Sequence, residues 1–214
     1  MGLAATGSIL LAAQAKADLS ESFSGSYGPS GTPINTTIYL QGFNTSLGTL
    51  DSVTLTLATA DTTSISIVNT TGSPQSYTSA TATIGITATV PSSGLSVTST
   101  TTSSGVSGSI GSAVGPYYLA PATTDGFAST GAQTSNLGDY ETTGIYPVDI
   151  SATSGIYAGS AVQGVIFGGN ATSSGTLEVT YDYTPVATPE PSSLIGGFGI
   201  LGSMAVMAWR KRKQ

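Results

Sequence analysis

Apolar residues recur at every second position in several separate stretches of this chain, a spacing that belongs to extended strands with one buried face. Near the end of the pattern, Leu177, Val179, Tyr181 and Tyr183 fall on one side, while Glu178, Thr180, Asp182 and Thr184 fall on the other. Val53, Leu55 and Leu57 alternate in the same way, and Ile65 and Ile67 follow them. The link between these two runs, Ala60-Asp61, reads as the turn of a hairpin. Further strands are predicted over 36–43, 81–90 (with Ile84, Ile86 and Ala88 inward), 95–100, 143–150 and 162–167. Gly, Pro, Asn and Asp separate the runs, and nothing before the C-terminal tail has helical periodicity. The Gly- and Ser-rich stretch 102–115 has little to bury and reads as a long loop. The pattern therefore predicts an all-β domain over residues 18–185, an antiparallel β-sandwich of roughly 8–10 strands.

Both ends break the alternation. Leu3 to Ala13 is an apolar stretch of h-region length, followed by Ala13-Gln14-Ala15 and Ala15-Lys16-Ala17, either of which satisfies the small-x-small rule of signal peptidase. Residues 1–17 are expected to be a secretory signal peptide, with Ala15 and Ala17 at the cleavage site and the cut after Ala17. No basic residue lies between Met1 and Gln14, so the positive n-region is expected upstream of Met1. At the other end, residues 186–214 contain Pro189-Glu190-Pro191, an uncharged run from Leu194 to Trp209, and the cluster Arg210-Lys211-Arg212-Lys213. As a helix the run reaches about 24 Å, short of a hydrocarbon core of about 30 Å, so it spans as a transmembrane helix only with help from its flanks. The four cations act as a cytoplasmic stop, which places everything upstream outside.

The order and spacing of these three parts resemble the PEP-CTERM sorting signal of Gram-negative bacteria that make exopolysaccharide. The resemblance covers residues 189–214. It implies recognition by an exosortase, a membrane transpeptidase that cuts near Pro189, Glu190 and Pro191 and releases or re-attaches its substrate outside the inner membrane. The segment from Leu40 to Leu57, with its Phe-x-x-x-Leu-Gly-Thr-Leu-x-x-Val-x-Leu-x-Leu block, and Gly175 to Pro185, with Tyr-x-Tyr-Thr-Pro, resemble the choice-of-anchor E domain. That resemblance implies export and an alternative C-terminal anchor, and carries no activity.

Charge sharpens the picture. The five basic residues are Lys16 and the four of the tail, so the stretch 18–188 has no Lys, Arg or His. Of the eleven acidic residues only Glu190 lies outside it, which leaves ten and a formal charge of −10. Such a domain cannot form a side-chain salt bridge or neutralise a nucleic-acid backbone, and no nucleic-acid partner is expected. There is no cysteine, hence no disulfide and no thiol chemistry. Without His, Cys or Lys, the Ser-His-Asp, Cys-His and Ser-Lys nucleophile systems are excluded.

Only carboxylates and tyrosines remain as candidate chemistry. Asp139 and Glu141 form the nearest acidic pair in sequence, and as a strand they would share a face. A glycosidase needs two carboxyls roughly 5–10 Å apart, yet no motif around them suggests a catalytic cleft. The same residues within Asn136–Glu141, with Asp125 or Asp149, offer hard oxygen ligands of the kind calcium prefers. Solvated surface carboxylates explain them equally well. Tyr117 and Tyr118, with Tyr140, Tyr146 and Tyr157, are candidates for stacking on sugar rings, against the ordinary reading of tyrosines packed at strand ends. The sequence thus predicts a non-enzymatic protein with no required cofactor. Its expected partners are signal peptidase and exosortase; it is exported across the inner membrane, transiently anchored there, and finally a cell-surface or extracellular-matrix component. The alternative is a module that binds extracellular polysaccharide or calcium.

Overall fold

The alternation on Val53, Leu55 and Leu57 does not stop at Ala60-Asp61. In the computed structural model, which describes residues 18–112 and 115–186, one strand runs unbroken from Gly48 to Asn69 and buries every odd position from Val53 to Asn69. The hairpin predicted at Ala60-Asp61 is therefore replaced by continuous strand. Leu57 and Ile65 are eight positions apart, an even number, so both lie on the same face and no turn is needed to bury them together.

Eleven strands are present among the described residues. They are β1 (Leu19–Gly31), β2 (Ile34–Gln41), β3 (Gly48–Asn69), β4 (Gln75–Thr89), β5 (Ser96–Thr102), β6 (Val106–Ile110), β7 (Tyr117–Tyr118), β8 (Ala122–Ser129), β9 (Ile145–Ala152), β10 (Ile156–Ala161) and β11 (Val165–Pro185). A single 3-10 turn, Leu137–Asp139, is the one helical element among them. The all-β prediction holds, and the number of strands exceeds the expected range. Strand β6 occupies part of the stretch predicted as a loop, paired to β4 from Gln75↔Ile110 to Ala80↔Val106. The predicted strand 162–167 overlaps the beginning of β11 only from Val165, residues 162–164 forming the turn before it, and β11 continues through Gly175 without a break.

All pairings are antiparallel and form two sheets. The first has the order β1-β11-β3, with β7 and β8 following one another along the far side of β3. The second is built on β4, with β9 and β10 along one side, β5 and β6 along the other, and β2 beyond β9. Side chains from both sheets meet in a shared core, giving a β-sandwich-like arrangement. Leu55, Leu57, Leu177 and Val179 of the first sheet face Ile84, Ile86, Val148 and Ile150 of the second, all fully or almost fully buried.

The abundance of Ser and Thr is explained by the outer faces. Hydroxyls pair across neighbouring strands at Ser22 and Thr180 (2.8 Å), Thr62 and Thr123 (3.0 Å), Thr83 and Thr102 (2.9 Å) and Thr87 and Thr98 (2.9 Å). Such pairs suit a solvated sheet surface, where a β-branched residue keeps strand propensity without exposing a large apolar side chain. Strands β1 and β8 have few large apolar residues and join the sheet through their backbones, which explains why the hydrophobic pattern does not reveal them.

The core and the outer face respond differently to truncation. Leu57→Ala, which leaves a cavity at a fully buried site, is expected to cost about 2–5 kcal/mol. Phe127→Ala on the exposed face of β8 is expected to shift stability by less than about 0.5 kcal/mol. Urea denaturation of the two variants measures the difference, and equal losses would contradict the assignment of faces.

Candidate functional site: a buried polar layer across the sandwich

The apolar interior is divided in two. One cluster holds Leu55, Leu57 and the aromatic group around Tyr181; the other holds Ile65, Ile67, Tyr77, Ala80 and Ala82. Between Leu57 and Ile65 on β3, the inward positions are Thr59, Asp61 and Thr63, all buried. Buried Ser99 and Thr101 of β5, Ser103 beyond its end, and Ser173 of β11 add to the same set of polar groups. Strand β1 contributes the hydroxyl of Tyr27, hydrogen-bonded to Ser173 Oγ at 2.9 Å.

Among the described residues Asp61 is the only buried one that carries a charge, and it is 0% exposed. Its Oδ2 accepts hydrogen bonds from Thr101 Oγ1 at 2.7 Å and Thr59 Oγ1 at 3.1 Å. Thr59 Oγ1 also lies 3.3 Å from Ser99 Oγ. The other carboxylate oxygen, Oδ1, is buried without a hydrogen-bond partner. A buried carboxylate that leaves one oxygen bare is costly unless something compensates it.

Two glycines let the layer exist. A Cβ on Gly126 would stand 2.3 Å from Ser99 Oγ and 2.5 Å from Thr59 Oγ1, and one on Gly175 would stand 2.7 Å from the ring of Tyr27. On the outer side of the same sheet lies a shallow depression of about 480 Å³, lined by small residues including Ala58, Ala60 and Ser174, with Asp125 beside them. Tyr27 and Thr59 also line it, so the depression reaches the edge of the polar layer.

Residues singled out from the sequence are distributed differently. Asp139 ends the 3-10 turn and Glu141 follows Tyr140; both carboxylates are exposed, and the residue between them is the buried one, so the pair is not on a strand. Asp125 faces outward on β8 in the first sheet. Asp149 lies on β9 in the second sheet, accepting from Thr37 Oγ1 at 2.7 Å. Among the described residues no group of three or more His, Cys, Asp or Glu side chains is placed to hold a metal ion. Tyr117 and Tyr118 on β7 are exposed, whereas Tyr140 and Tyr146 are buried with rings in edge contact at 5.6 Å, and Tyr157 is half-buried. Ala15, Ala17, Pro189, Glu190, Pro191, Arg210, Lys211, Arg212, Lys213 and the apolar run 194–209 lie outside the described residues. Among the described residues, no helix is long and apolar enough to cross a membrane.

Sequence reasoning passed over Asp61 and Phe127. The signal for Asp61 was its parity: it occupies an odd position in a strand whose odd positions are otherwise inward. Phe127 is 73% exposed on β8, opposite Ala58 in the ladder and hence beside the depression.

No family model matches the chain, and no curated protein matches it. Among solved structures, a chain in the structure of infectious bursal disease virus Gt strain is similar at 13% identity, covering 89% of this chain and 48% of that one with a TM-score of 0.09. The chain thus spans about half the length of that viral chain, and likeness at this level carries no argument.

The buried tyrosines set an alkaline limit on stability. Burial raises Tyr146 from 10.0 to about 12, against a hydrogen bond to Tyr181 that works the other way. Burial also pushes Tyr181 upward; its hydroxyl lies within hydrogen-bond distance of Gln41 O (2.9 Å) and of the Tyr146 hydroxyl (3.1 Å). An acid whose folded value is raised stabilises the fold fully below its unfolded value, and that contribution is lost as pH climbs from there to the folded value. Stability is therefore expected to hold up to about pH 10 and to fall between about pH 10 and 12. Chemical denaturation across this range, with tyrosinate absorbance followed in parallel, tests it; flat stability through pH 12 contradicts it.

Proposed function

We propose that this protein is a non-enzymatic component of the cell surface or extracellular matrix, exported by its N-terminal segment and sorted by an exosortase acting on its tail. The observation that carries the reading is where the two ends of the domain leave it. Strand β1 begins at Leu19, directly after the small-x-small site, and β11 ends at Pro185, shortly before Pro189-Glu190-Pro191. Those strands are neighbours, with Leu19 opposite Tyr183, so both ends emerge at the same end of the same sheet. An unprocessed chain is then held by two membrane segments on one side, with the rest of the sandwich projecting away. Removing both segments removes all five basic residues and leaves a purely acidic, hydroxyl-covered domain.

A second reading is supported by the outer face of the first sheet. The ring of Phe127 stands free beside a depression carrying Asp125, Ser26, Ser174 and Thr176, an apolar surface next to hydrogen-bonding groups. That combination suits contact with an extracellular polysaccharide, whose sugar rings have apolar faces and hydroxyl edges. In this reading Phe127 takes the stacking role, with Tyr118 farther along the same edge of β3.

Mass spectrometry of native, surface-located protein is expected to show a start at Asp18 and loss of the basic C-terminus. An intact C-terminus in that material sinks the sorting proposal. On a glycan array, the polysaccharide reading requires selective binding that falls at least about tenfold in Phe127→Ala, the scale of 1.4 kcal/mol. Equal signals from the two proteins eliminate it.

A further inference from the structure

We propose that the polar layer around Asp61 binds a monovalent alkali cation of the sodium class, with Asp61 Oδ1 as a ligand. The inference is independent of how the protein is sorted. It starts from an imbalance of charge. Asp61 is fully buried, and no Lys, Arg or His exists anywhere between residues 18 and 188 to pair with it. Hydrogen bonds from Thr59 and Thr101 serve only Oδ2, and Oδ1 has no partner. Ionised carboxylates in protein interiors are matched by a cation or a coordinated metal ion, because hydroxyl donors alone leave the net charge uncompensated.

The donor set selects the ion. Every polar side chain of the layer offers oxygen: one carboxylate, with the hydroxyls of threonines, serines and Tyr27 around it. A hydroxyl that gives its proton to Oδ2 keeps lone pairs with which to ligate a cation. Hard, oxygen-preferring ions are therefore favoured over the softer transition metals. Calcium sites usually gather several carboxylates, and among the described residues none here gathers three acidic groups. One negative charge is balanced by one positive charge.

The test is thermal melting of the full-length protein in sodium, potassium, calcium and choline chlorides at matched ionic strength. All four screen the acidic surface, but choline is too large for a buried site. Sodium is expected to raise the midpoint above choline by roughly 2–4 °C, a saturable effect of binding to the folded state. In Asp61→Asn, which keeps the size of the side chain but removes its charge, the two salts should give the same midpoint. Thr101→Val, which loses one hydroxyl with little change of shape, should reduce the sodium effect, and it provides the reading if Asp61→Asn does not fold. Equal midpoints for the wild type in sodium and choline overturn the proposal. A sodium preference that survives in Asp61→Asn overturns the site. A response to calcium without one to sodium overturns the assignment of the ion.

Discussion

The pairing of β3 with β11 is the constraint on which the remaining structure depends. It runs without interruption of partnership from Val165↔Asn69 to Pro185↔Gly48, with one shift of register near Asp182. Because side chains alternate along a strand, this single ladder fixes the face of every residue on both strands. It sets Leu55, Leu57, Leu177 and Val179 in one apolar cluster and Ile65 and Ile67 in the other. It also leaves Asp61 no way to reach solvent while the strand stays straight. A slip of one residue would bury Ala60 and Thr62 in place of Thr59, Asp61 and Thr63, and would expose both apolar clusters.

Much of the sandwich was legible because its central strands announce themselves through period-two apolar residues. Leu177 to Tyr183, Val53 to Leu57 and Ile84 to Ala88 are inward where the pattern put them. What stayed hidden did so for identifiable reasons. Strands β1 and β8 lie at the outer parts of the first sheet, where backbone hydrogen bonds and hydroxyl pairs hold them and few large side chains are buried. Strand β6 pairs with β4 despite being almost wholly exposed. Asp61 was misread because a carboxylate beside Ala60 looks like a turn, and only the even spacing between Leu57 and Ile65 contradicts that. Proximity in sequence also misled at Asp139 and Glu141, since the turn buries Tyr140 between them and leaves both acids in solvent.

The division of the interior gives the sandwich two apolar regions separated by a band of hydroxyls and a single carboxylate. A domain of this kind gains less from the hydrophobic effect than one with a continuous core, since part of its interior must be satisfied by hydrogen bonds. In exchange, the band specifies alignment, because Asp61 meets Thr101 in only one placement of β3 against β5. Tyr181 does comparable work at the far end of the larger cluster. Its ring packs against Phe23 and Phe43, while its hydroxyl reaches Gln41 O and Tyr146.

The shared exit of the two ends has a mechanical meaning. In an antiparallel pair the hydrogen bonds run perpendicular to the strands. Pulling Leu19 away from Tyr183 therefore loads the ladder of β1 and β11 one rung at a time, like a zipper opened from its end, and not all rungs together in shear. A domain joined this way resists little if tension passes through both ends, yet bears no internal load when it hangs from one. The fold is suited to being displayed from a single tether and poorly suited to serving as a link in a chain under strain.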